Sequence, residues 1–131
     1  GAAGAAGAAG PAGPSDAYGR FLNGPVAIPA SLTTLATLSI PQAGRYVAWA
    51  KAYVTATGDA AVATCRLEAG QDMDQTSVSA RSTTPRALAH IVTHECAAAG
   101  NVDLKCLTSG ALQANHIRIA AIRVANLTNT G

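Results

Sequence analysis

The sequence predicts an all-β fold, an antiparallel sandwich of roughly seven or eight strands, preceded by a collagen-like triple-helical segment. Three observations predict it. Glycine returns at every third position through the first fifteen residues. Short runs rich in Val, Ile, Thr and aromatic residues, each broken by a turn signal, fill the rest of the chain. No window keeps the i, i+3, i+4, i+7 spacing of large apolar side chains that a helix requires.

The repeat comes first. Gly1, Gly4, Gly7, Gly10 and Gly13 head the triplets Gly-Ala-Ala (three times), Gly-Pro-Ala and Gly-Pro-Ser, and Asp16 stands where the next glycine would fall. A triple helix needs this period because only glycine fits at its common axis, whereas a flexible Gly/Ala linker has no reason to keep its glycines in phase. The working unit is then a homotrimer. Only Pro11 and Pro14 pre-organise the segment. Alanine returns little packing against an ordering cost of about 1–2 kcal/mol per residue. Such a stalk depends on a head that holds its three strands side by side. Residues 1–15 are therefore read as stalk, 16–24 as a hinge and 25–131 as a β head. The hinge assignment rests on the turn formers Ser15, Asp16, Gly19, Asn23 and Gly24. Tyr18, Phe21 and Leu22 are expected to pack on the body where the chain enters it.

Strand-like runs follow at 31–40, 45–57, 61–69, 75–82, 86–96, 102–108 and 112–125, with a short edge piece near 25–28. Pro25, Pro29, Pro41 and Pro85 fall at run boundaries, where a missing N–H costs least. Alternation assigns the faces. In 45–57, Tyr46, Ala48, Ala50, Ala52 and Val54 form a uniformly apolar, core-directed set. Val47, Trp49, Lys51 and Tyr53 form the other, amphipathic face, whose Val47, Trp49 and Tyr53 are candidates for a subunit interface. Val62 and Ala63 lead into inward Cys65, Leu67 and Ala69, with Arg66 and Glu68 outward. Val102, Leu104 and Cys106 point in, and Asp103 and Lys105 out. The last run, Ile117 to Val124, changes phase at Ala120-Ala121, which predicts a β-bulge there.

Composition bounds the function. The 131 residues are 49% hydrophobic but only 4% aromatic and 12% charged. Alanine dominates, so backbones approach closely, and the low charge fits a surface partly covered by partner subunits. A net charge of +2 gives no basis for nucleic-acid binding. No apolar run approaches the ~18 residues of a transmembrane helix, so no membrane insertion is expected. Cys65, Cys96 and Cys106 show no metal-type spacing. Cys65 and Cys106 both fall on inward faces and are expected to form a disulfide, leaving Cys96 as a free, buried thiol. Cys96 and Cys106, closer in sequence, are the competing pair.

Collagen triplets followed by an Ala/Thr/Val-rich β-domain resemble the bacterial secreted collagen-like proteins. The head segments Ile40-Pro41, Gly44-Arg45-Tyr46-Val47, Thr64-Cys65-Arg66-Leu67, Ala97-Ala98-Ala99-Gly100 and Leu104-Lys105-Cys106 support the likeness. At the level of architecture the head is also similar to the complement and tumour-necrosis-factor type. The resemblance implies a C-terminal jelly roll that trimerises and closes a stalk, on an extracellular or cell-surface protein. Collagen-like segments joined to β-heads also occur in phage fibres, so a virion fibre is the competing setting.

The remaining motifs carry less chemistry. His90 and His94, beside Glu95, share one face of a strand but lie ~13 Å apart, too far to hold one ion. Asp72 and Asp74 alternate as calcium ligands do, but no further acidic ligand is near, and a solvated turn is the expectation. Asn126-Leu127-Thr128 matches a glycosylation sequon. No serine carries the glycine frame of a nucleophile elbow, and neither an enzyme activity, a metal nor a cofactor is expected. The sequence thus points to a trimerising and capping head. The alternative is a trimeric tip that binds a surface glycan or host receptor.

Overall fold

The computed structural model describes residues 16–130; Gly1, Gly4, Gly7, Gly10 and Gly13, read from the sequence as a stalk, lie outside the described residues. Nine strands build the head: β1 (Ala17–Leu22), β2 (Val26–Ala27), β3 (Thr33–Ile40), β4 (Gly44–Ala56), β5 (Ala61–Ala69), β6 (Asp72–Ala80), β7 (Arg86–Cys96), β8 (Gly100–Thr108) and β9 (Leu112–Val124). They form two antiparallel sheets. The first has the order β1-β9-β4-β7, with β2 also pairing to β9; the second has the order β3-β8-β5-β6. Consecutive strands repeatedly cross between sheets, so the chain wraps as a jelly roll and each sheet buries one face against the other.

Period-two burial confirms the assigned faces. Tyr46, Ala48, Ala50, Ala52 and Val54 of β4 are buried, as are Ala63, Cys65, Leu67 and Ala69 of β5 and Val102, Leu104 and Cys106 of β8. Ile117, Ile119 and Ala121 of β9 complete the opposing wall. The core is alanine-rich on β4 and filled by branched side chains on β3, β8 and β9, which sets small side chains against large ones. Val62, by contrast, points outward and is exposed.

Three expectations need correction. The stretch read as a hinge is not one: Ala17–Leu22 pair with Leu22 opposite Ile117 and Ala17 opposite Ile122. Local turn residues there are overridden by the ladder that β9 offers, so the head begins at β1. The bulge is not at Ala120-Ala121. Ala121 stays buried and Ile122 points outward, while the register of β4 with β9 shifts between Lys51 and Tyr53, opposite His116. His116 takes a positive φ of 48° there, and its N–H donates to the Asn23 carbonyl at 2.9 Å. Asp72 and Asp74 lie on strand β6 and not in a loop.

Candidate functional site

All strands run between two ends of the sandwich. Asp16, the β3–β4 turn at 41–43, the β7–β8 turn at 97–99 and the exit of β9 share one end. The described chain therefore begins at that end. The entry is fastened by side chains. The Arg123 N–H donates to the Asp16 carbonyl at 2.8 Å. Arg123 Nη1 reaches Asp16 Oδ2 at 3.5 Å and Gln42 Oε1 at 3.2 Å. Gln42 Nε2 donates to the Tyr18 hydroxyl at 2.9 Å, and the buried Tyr46 hydroxyl donates to the Gln42 carbonyl at 3.0 Å. Burial, with Tyr18 second, pushes the Tyr46 hydroxyl above its ordinary pKa. Residue 16 is thus held to β9 and to the β3–β4 turn rather than hinged.

The sheet that receives the entering chain carries an unusual outer face. Cross-strand register aligns Ile91, Trp49, Ala120 and Gly19 in one row, and Thr93, Val47, Ile122 and Ala17 in the next. Trp49 is 39% exposed and Ile91 61% exposed. Their row neighbours Ala120 and Gly19 are small, so the two large side chains stand above a flat surface. Among the described residues, five of the eight large exposed apolar side chains (Phe21, Trp49, Tyr53, Ile91 and Ile122) lie on this face. Val47, Trp49 and Tyr53 do point outward, as their alternation required; Phe21 does too, against the expectation that it packs on the body. The same period-two rule, applied to β1, β7 and β9 with the correct bulge, finds Phe21, Ile91 and Ile122.

Toward the other end this face changes character. The His116 ring stacks on Tyr53, with centroids 5.5 Å apart, and lies 5.7 Å from Phe21. The Arg118 guanidinium sits 4.2 Å over the Phe21 ring, and Lys51 stands directly across from Arg118.

The remaining candidates resolve into structural contacts. Asp72 Oδ2 pairs with His94 Nδ1 at 2.8 Å, Asp74 Oδ2 accepts from the Ile91 N–H at 2.9 Å, and Thr76 Oγ1 meets His90 Nε2 at 2.6 Å. These three contacts close the side of the sandwich where β6 and β7 are edge strands. A cleft of about 210 Å³ lies outside them, lined by Asp72–Asp74 and Ile91–Thr93. Desolvation holds the buried His90 below its ordinary pKa. No group of three or more metal-ligating side chains occurs among the described residues. Cys65 and Cys106 are direct cross-strand partners with Cα atoms 4.1 Å apart, and they form the disulfide. Cys96 is free but half-buried, not buried, because it ends β7 beside Gly44 at the sandwich edge.

No protein-family model matches the sequence, and no curated protein does. Solved structures resemble the chain to different degrees. The chain superposes on "PRD1 vertex protein P5" with a TM-score of 0.54 at 16% identity, covering 86% of this chain and 99% of that one. A tumour-necrosis-factor protein, Eiger from S. frugiperda, gives 0.47 at 12% identity over 90% of this chain and 98% of its own. A carbohydrate-binding module of Cellvibrio mixtus lichenase 5A gives 0.38 at 17% identity, over 82% and 75%. Together with the two-sheet topology, the first of these places the head among the jelly rolls.

Proposed function

We propose that this chain is the trimerising and capping head of an extracellular collagen-like stalk or fibre, with no enzymatic role. The observation that carries the reading is the coincidence of two features on one sheet. The entering chain is locked to the sheet at Asp16, and the same sheet concentrates the exposed apolar side chains on its outer face. Strands of 6, 13, 13 and 11 residues, rising about 3.3 Å per residue and spaced about 4.8 Å apart, give that face about 680 Å². This is close to one partner's share of a standard protein interface, about 800 Å².

A collagen-like stalk requires three parallel chains, so the heads relate by a threefold axis and the contact is heterologous. The face around Val47, Trp49, Ile91 and Ile122 then meets a different surface of its neighbour. The disulfide fits an oxidising setting, outside a cell or on a virion. Among the described residues no helix is long and apolar enough to cross a membrane.

Sedimentation velocity tests the reading on the full chain, on residues 16–131, and on Trp49→Asp. The first two should run as trimers. The variant should run as a monomer with unchanged far-ultraviolet dichroism, because Trp49 lies outside the core. A full chain that stays monomeric at tens of micromolar would overturn the proposal. A second reading, a receptor- or glycan-binding tip, draws on the ring cluster at the end of the head away from the stalk.

A further inference from the structure

The cluster of Phe21, Tyr53, His116, Lys51 and Arg118 is built rather than incidental. The bulge turns His116 out of the strand alternation, between buried Ala114 and Ile117. Its backbone holds a left-handed φ of 48°, which a non-glycine residue adopts at a cost. The result sets the imidazole between two other rings. Phe21 and Tyr53 remain 42% and 36% exposed in this arrangement.

The charges are equally specific. Lys51 and Arg118 are direct cross-strand neighbours, a placement in which like charges destabilise a sheet. Among the described residues neither has a carboxylate partner. Glu95, also on this face, pairs with Arg45 at the other end of the sheet, 3.5 Å away. The Arg118 guanidinium carbon sits 4.2 Å over the Phe21 ring, a cation–π contact that uses no N–H, so its donors are left to a planar or tetrahedral anion.

We infer that this cluster binds an acidic saccharide, a sugar carrying a carboxylate or sulfate group. The rings of Tyr53, His116 and Phe21 receive the apolar face of the sugar, and the anionic group lies between Arg118 and Lys51, relieving their repulsion. The subunit contact proposed above centres on Val47, Trp49, Ile91 and Ile122 at one end of this face. The cluster lies at the other end, where a protein partner would have to bury the facing cations Lys51 and Arg118. A nucleic acid needs a continuous cationic track along its backbone, and two cations do not form one. The inference does not depend on the oligomer.

The test is an NMR titration of the isotope-labelled full chain with a heparin-derived tetrasaccharide, with maltotetraose and oligo(dT) as comparisons. The heparin fragment should shift the amides of Phe21, Tyr53 and residues 115–118, and its binding should weaken with added salt. Arg118→Gln should weaken it about tenfold, the loss of one charge-assisted contact, and Tyr53→Ala should weaken it too. Lys105→Gln, on the other sheet, should leave it unchanged. No shifts at millimolar probe, shifts centred elsewhere, equal binding of maltotetraose, tighter binding of oligo(dT), or an unaffected Arg118→Gln variant would each overturn the inference. Sedimentation of the same samples separates the two readings: a monomer that binds removes the trimer alone, and a trimer that does not bind removes the saccharide site alone.

Discussion

Removing the Cys65–Cys106 bridge is the perturbation whose size can be worked most directly. The two residues are 41 positions apart in sequence and join β5 to β8 inside the buried face of one sheet. Closing a loop of that length removes about 13 cal/mol/K from the unfolded chain, or about 3.9 kcal/mol at 25 °C. Unfolding entropy near 2.1 cal/mol/K per residue over about 115 residues converts this to a fall in Tm of about 16 °C. The double variant Cys65→Ala/Cys106→Ala should therefore melt about 16 °C below the oxidised protein at equal protein concentration. Reduced wild type should melt within a few degrees of the variant, because both lose the same restraint. Urea unfolding should show a lower midpoint and, as the unfolded chain expands, a steeper slope. A loss under about 1 kcal/mol would refute the loop-entropy reasoning. Non-reducing peptide mapping that linked Cys96 to either partner would refute the pairing itself. Cys96→Ala is the control and should change little, since its thiol is half-buried and makes only long contacts to the Gln42 and Gly44 carbonyls.

Other outcomes follow from the same geometry. His90 is buried and its Nδ1 has no hydrogen-bond partner, so the folded state resists a proton that the unfolded chain accepts near its ordinary 6.5. Stability is complete above that pH and falls below it, by up to about 1.4 kcal/mol per pH unit; denaturant melts should show this, and His90→Gln should flatten the slope. Lys105, with burial opposing and Arg66 assisting, holds Glu68 below its ordinary 4.5. A second loss of stability therefore sets in as pH falls below 4.5 and through the folded pKa, and Lys105→Met should shrink it. Ala50→Leu overfills a position that faces His90 and Ile119 across the ladder and should cost about 1–3 kcal/mol in urea. Gly70 holds a φ of 59°, and a Cβ there would lie 2.7 Å from the His94 ring. Gly70→Ala should cost about 1–2 kcal/mol for the backbone alone, with the His94–Asp72 pair visibly displaced in the histidine NMR signals.

The sequence by itself determined what is local and periodic. Alternation at Tyr46 to Val54, Cys65 to Ala69 and Val102 to Cys106 names the buried faces, because a strand's side chains must point alternately to core and water. Turn residues set the strand limits closely. The same rule turned Cys65 and Cys106 to one core, but what joins them is the pairing of β5 with β8, which sets their Cα atoms 4.1 Å apart. The glycine period is local in the same sense, and the residues that carry it lie outside the described structure. Tertiary structure decided what depends on partners distant in the chain. Residues 17–22 look like a hinge in isolation and become a strand because β9 supplies a ladder. The bulge is set by the register of β9 on β4 and by the Asn23 carbonyl, which no window of sequence contains, so a change of phase read at Ala120-Ala121 misplaced it. The outer face of the first sheet gathers Phe21, Trp49, Ile91 and Ile122 from four separate strands. The order β1-β9-β4-β7 that brings them together is a property of the wrapped chain, with no counterpart in linear spacing.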